Sequence, residues 1–154
     1  VVPAFAHIPL IHGPDGAKLS KRHGALGVEQ YREMGYLPET LKNYLLRLGW
    51  SHGDEEIISE EQAIAWFDMD AVGRSPSRMD FQRMQNLNAH YLRQSDPVRL
   101  ARMIAPALNV SDDADMIERL AAGMPGLTQR ASTLPELADA ARFRGHGTGL
   151  DRCQ

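Results

Sequence analysis

The spacing of apolar positions changes once along the chain, near residue 27. The first dozen residues, VVPAFAHIPLIH, alternate imperfectly and are rich in apolar and β-branched side chains, which predicts a strand. GPDG follows. Pro14 pre-sets the first corner and Gly16 tolerates a positive φ, so the chain turns back on itself in a hairpin. Beyond Gly27 the period becomes helical. VEQYREMG reads as a short helix closed by Gly35. PETLKNYLLRLG reads as a longer one, with Pro38 in its first turn, Leu41, Leu45 and Leu48 on one face, and Gly49 as its stop.

The same period recurs downstream. In SEEQAIAWF, Ser59 and Gln62 have capping-box spacing, and GRSPSR then reads as a loop. Asp80 can cap a helix on which Phe81, Met84 and Leu87 recur, and Pro97 opens another running toward Ile104. DDADMIERLAAG and TLPELADAARF are helical as well, the latter opened by Thr133 and Glu136. The expected fold is mainly α, a helical bundle with a short N-terminal β-hairpin carrying the run KLSKR.

Composition narrows the class. A chain of 154 residues with 43% apolar and 24% charged residues can bury a core, and no apolar run approaches the length of a bilayer span. The single cysteine, Cys153, supports no disulfide framework and no paired metal ligands, which fits a reducing, cytoplasmic setting. The net charge of −3 hides an asymmetry. Residues 51–70 carry seven acids and no Lys or Arg, whereas residues 71–102 carry six arginines and two acids. Arg74, Arg78, Arg83, Arg93, Arg99 and Arg102 suit recognition of phosphate or carboxylate by a planar fork; a surface that pairs with the preceding acidic segment is the plainer reading.

Candidate chemistry is sparse. Six histidines lack metal-ligand spacing, so no zinc site is expected, and no GxxxxGK[ST] run is present. Ser20 has no base placed by spacing. The turn is the strongest candidate: Lys18, Lys21, Arg22 and His23 stand on or just after a Gly-rich connection that can bring ammonium groups over a polyphosphate. In nucleotidyl transfer from ATP, negative charge builds on the leaving pyrophosphate, and Lys21 is the residue assigned to stabilise it. Taken alone, KLSKR fits a solvated surface turn better.

The neighbouring runs change that weighting. AHIPLIHGPDGAKLSKRHGA followed by GYLPETLKNYLLRLGWSHGD resembles the second signature of class I aminoacyl-tRNA synthetases, in the form found in bacterial glutamyl-tRNA synthetases. GRSPSRMDFQRMQNLNAHYLR resembles that family's later segment, which ends in an LNxHY run at Leu87, Asn88, His90 and Tyr91. The resemblance implies that Lys18, Leu19, Ser20, Lys21 and Arg22 form the mobile ATP-binding loop, with Lys21 as its catalytic lysine. It also implies that ATP, accompanied by Mg2+ but with no metal site in this chain, activates L-glutamate before transfer to tRNA(Glu). Arg74, Arg78 and Arg83 then gain tRNA phosphates as partners.

By the same resemblance, residues 1–24 end a catalytic domain, 25–95 form a helical stem-contact domain, and 96–143 begin a helical anticodon-binding domain; 144–154 are expected to be a disordered or non-native tail. A nucleotide-binding fold with a HIGH-type motif would precede Val1, so the chain is expected to be a monomeric, C-terminal portion that is inactive alone. Asn86 departs from the tryptophan common in relatives. Charging of the glutamine tRNA as well is compatible with every one of these residues. The alternative is a free-standing helical RNA-binding or protein-interaction module derived from a synthetase.

Overall fold

The computed structural model describes residues 2–3, 5, 7–19 and 26–147, with side chains as far as Arg142. Its elements run β1 (Ile11–His12), α1 (Val28–Glu33), α2 (Pro38–Gly49), α3 (Glu60–Trp66), β2 (Ser77–Arg78), α4 (Phe81–Gln94), α5 (Pro97–Leu108), α6 (Ala114–Leu127) and α7 (Leu134–Gly147). The mainly α architecture is the one that the periodicity predicts. The caps explain the boundaries. Pro38 occupies the first turn of α2, where its missing N–H costs nothing. Ser59 and Gln62 form the expected reciprocal box on α3. Asp80, Asp96 and Asp113 each accept a backbone N–H from the first turn of α4, α5 and α6. Helix α7 runs through Gly147, into the segment expected to lack order; residues 148–154 lie outside the described ones.

Three expectations need correction. Among the described residues only Ile11–His12 of the front segment is a strand, because Pro3 and Pro9 cannot donate to a ladder and the available partner is two residues long. That partner lies in GRSPSR, read above as a loop: β2 pairs with β1 in parallel, Ile11 opposite Ser77 and His12 opposite Arg78. The hairpin turn also closes, through one antiparallel bridge between His12 and Lys18. Finally, Leu45 faces outward, 45% exposed. The inward face of α2 follows Leu37, Thr40, Tyr44 and Leu48, and Leu45 lies about 100° round the helix from Tyr44.

Two apolar clusters form the core. The smaller joins Tyr31 of α1 and Tyr44 of α2 to Tyr36, Met79 and Met84, with Ile11 and Leu19 of the front turn packed against it. The larger is built by α5, α6 and α7 around Leu100, Ile104, Met124 and Leu137, and takes in Leu37 and Leu92. Helix α4 runs through both. Between them sits Asn88, wholly buried, with its side-chain amide fully used. Its Oδ1 accepts from the Leu37 N–H at 2.9 Å and the Thr40 hydroxyl at 2.8 Å, and its Nδ2 donates to the carbonyls of Gly35 at 3.2 Å and Ser132 at 2.6 Å.

Candidate functional site

The turn at the front of the chain is held by its own backbone. Gly16 N–H donates to the Gly13 carbonyl at 2.9 Å, Gly13 N–H to the Ala17 carbonyl at 2.8 Å, and Leu19 N–H to the Ile11 carbonyl at 2.9 Å. Gly16 takes φ +80, a left-handed position that glycine occupies without strain. Asp15 Oδ1 accepts from the Ala17 N–H, a further contact that closes the turn without the Lys18 side chain. Lys18 is exposed and Leu19 packs against the smaller core. Ser20, Lys21 and Arg22, the rest of the phosphate-loop assignment, lie outside the described residues.

β-Pairing then gives the turn a neighbour. His12 faces Lys18 on one side and Arg78 on the other. Directly paired residues share a face, which puts the side chains of Lys18 and Arg78 on the same side of backbones about 10 Å apart, and of the two Arg78 lines the cleft below. Short as it is, the ladder is reinforced at both ends, by Ser77 N–H to the Leu10 carbonyl at 3.0 Å and Met79 N–H to the His12 carbonyl at 2.9 Å.

Below the turn lies a cleft of about 860 Å3 lined by Pro14, Tyr44, Arg47, Glu56, Arg78 and Arg83, among others. Its floor is fixed by Tyr44, whose hydroxyl bridges the backbone of Asp80 at the start of α4. Burial pushes the Tyr44 phenol up from its ordinary value, and the carboxylate of Asp80 adds to that. Arg78 and Arg83 thus share one cleft; Arg74 does not line it. Arg47 was missed by the sequence reading, where it passes for the basic residue that ends many helices. Its Nη1 is buried without a hydrogen bond and stands 3.6 Å from Glu56 Oε1.

The arginine stripe divides by partner. Arg83 pairs with Glu56 at 2.6 Å, as the acidic-segment reading expects, and Arg99 on α5 pairs with Glu39 on α2 at 2.7 Å. Burial would raise the Glu39 carboxyl, but the hydrogen bond from Arg99, the local backbone and the charges of Arg99 and Lys42 together leave it lowered. Arg74, Arg78, Arg93 and Arg102 have no acidic partner among the described residues. Those residues contain no group of three His, Cys, Asp or Glu placed to hold a metal, and no helix among them is long and apolar enough to cross a membrane.

A basic turn beside a basic cleft is common to many phosphate-binding surfaces, and comparison with known proteins discriminates among them. Residues 1–86 match the family described as tRNA synthetases class I (E and Q), catalytic domain. The chain belongs to this family. The matched residues run through the turn, both strands and α1 to α3, and end within α4. Among curated relatives, glutamate–tRNA ligase 2 of Paramagnetospirillum magneticum is 62% identical over 146 residues, covering 92% of this chain and 31% of the relative. Glutamate–tRNA ligase 2 of Rhodospirillum centenum is 61% identical over 149 residues, with the same coverage. This synthetase chain therefore spans about 31% of the length of those relatives. The crystal structure of a glutamate tRNA ligase from Elizabethkingia meningosepticum, in complex with its amino acid, superposes with a TM-score of 0.74 at 28% identity, covering 92% of this chain and 32% of that one.

Proposed function

We propose that this chain is part of a glutamate–tRNA ligase, supplying the ATP-phosphate loop and a tRNA-contacting surface. In that reaction the glutamate carboxylate attacks the α-phosphate of ATP, pyrophosphate leaves, and the 3′ end of tRNA(Glu) then takes the glutamyl group from the adenylate as AMP departs. Lys21 is the catalytic residue, its ammonium neutralising charge that grows on the leaving pyrophosphate. Lys18, Leu19, Ser20 and Arg22 complete the loop. Mg2+ arrives with the nucleotide rather than at a protein site of this segment.

The observation that carries the reading is the placement of Lys18 and Arg78 on either side of His12. Cations fit a polyphosphate on one side and a ribose-phosphate backbone on the other, so ATP loop and tRNA surface are neighbours in one small sheet. Arg78 and Arg83 in the cleft, and Arg74 ahead of β2, make the tRNA contacts. Residues 1–24 belong to the catalytic domain, 25–95 to the stem-contact domain and 96–143 to the anticodon-binding domain. The enzyme works as a cytoplasmic monomer.

Half of the ATP site comes from elsewhere in the ligase, so the 154-residue chain is inactive by itself. Glutamate-dependent pyrophosphate exchange, run with and without tRNA, is the test. The whole ligase should exchange and this chain should not; exchange by this chain alone overturns the reading.

A further inference from the structure

The unpaired arginines of the stripe stand on both sides of a seam. Arg74 precedes β2 and Arg78 ends it, beside the smaller core; Arg102 is an exposed residue of α5, whose inner face builds the larger core, and Arg93 is on α4, which runs through both. A stiff polyanion that touches both groups gains from the second only if their spacing is fixed beforehand, because otherwise binding must order the two halves.

Within the described residues, the seam is the contact between the α1–α2 turn and the α6–α7 turn. It is tight and polar. Leu134 N–H donates to the Gly35 carbonyl at 3.2 Å, and Asn88 Nδ2 reaches that carbonyl and the Ser132 carbonyl together. Gly35 sits at φ +83, and a Cβ there would collide with Pro135 Cδ and stand 2.7 Å from Leu134 N. A separate tie, the Arg99–Glu39 pair, joins α5 to α2. No atom of the Asn88 amide is left to touch a ligand.

We propose that Asn88 is a positioning residue for tRNA: it locks the α1–α2 turn to the α6–α7 turn, holding the arginines of β2 and of α5 at one spacing for one RNA. The inference rests on the tRNA reading above and adds a residue and a mechanism to it. Asn88→Asp keeps both accepted hydrogen bonds and removes both donated ones, so it cuts the strap to Ser132 and leaves the start of α2 held. Gly35→Ala wedges the same seam from the other side.

Both variants, made in the whole ligase, should bind tRNA(Glu) about tenfold more weakly and lower the slope of log Kd against log salt by about 1, the share of one lost phosphate contact. Folded variants that keep the wild-type affinity and slope overturn the positioning role alone. Salt-insensitive binding by the wild type removes the tRNA reading, and this inference with it. Should neither variant fold, amide exchange on the wild-type ligase decides: Leu134 and Leu37 should exchange at one slow rate, and a Leu134 amide exchanging as fast as an exposed loop overturns the lock.

Discussion

The hydroxyl of Tyr44 donates to the Asp80 carbonyl at 3.0 Å and accepts from the Asp80 N–H at 2.7 Å, joining the middle of α2 to the first residue before α4. One side chain therefore fixes both the floor of the basic cleft and the height at which β2 leaves it.

Tyr44→Phe leaves the part-buried Asp80 N–H without its acceptor, while the Asp80 carbonyl keeps the Met84 N–H and the ring stays in the smaller core. The expected cost is about 1–3 kcal/mol, read as a lower urea midpoint at unchanged m-value. A midpoint within error of the wild type would mean that water replaces the hydroxyl.

For the reaction itself, Lys21→Ala in the whole ligase should slow adenylate formation roughly a hundredfold or more, the scale for losing one preorganised charge stabiliser, with little change in glutamate affinity. Single-turnover measurements separate the two. Equal losses in rate and in affinity would make the lysine a structural residue.

Two arginines of the cleft should differ in their response. Arg78 has no acidic partner among the described residues, whereas Arg83 already holds Glu56 at 2.6 Å. Arg78→Ala should weaken tRNA binding and reduce the salt slope by about 1, and Arg83→Ala should do less, since that guanidinium must first leave its carboxylate. Filter binding over a salt series checks the order. The reverse order contradicts the assignment.

The Glu39–Arg99 pair makes stability depend on acid. The Glu39 carboxyl is lowered in the folded chain, so its contribution is present at neutral pH and is lost as pH falls through the lowered value. Both groups are 41% exposed, which screens the pair and limits the effect to under about 1 kcal/mol. Glu39→Gln should flatten the acid side of the stability curve by that amount and leave its alkaline side alone. Urea midpoints from neutral to acid pH measure it.

The helices were legible because their ends are written locally: Pro38 and Gly49 bracket α2, and Ser59 with Gln62 starts α3. The ladder between Ile11 and Ser77 was not, since two residues following a proline give no periodic signal and their partner lies far along the chain. Of the candidate site, the family and the basic turn were readable from KLSKR and its companions. Asn88 was visible as part of LNAHY, but its four hydrogen bonds go to two segments far from it in sequence, residues 35–40 and Ser132, and no spacing in the sequence reports that. Arg47 was hidden for a similar reason: only tertiary packing buries its Nη1.

The two-residue ladder also orders events during folding. Pairing Ile11 with Ser77 closes a loop that contains α1, α2 and α3, so its entropy must be met before the pairing returns anything. The turn can close locally, but its anchor to β2 forms only after the chain has grown past Met79, although the turn itself is made earlier. In a chain emerging from the ribosome, β1 is therefore anchored late, and a product truncated before Ser77 would carry the turn with no strand beside it.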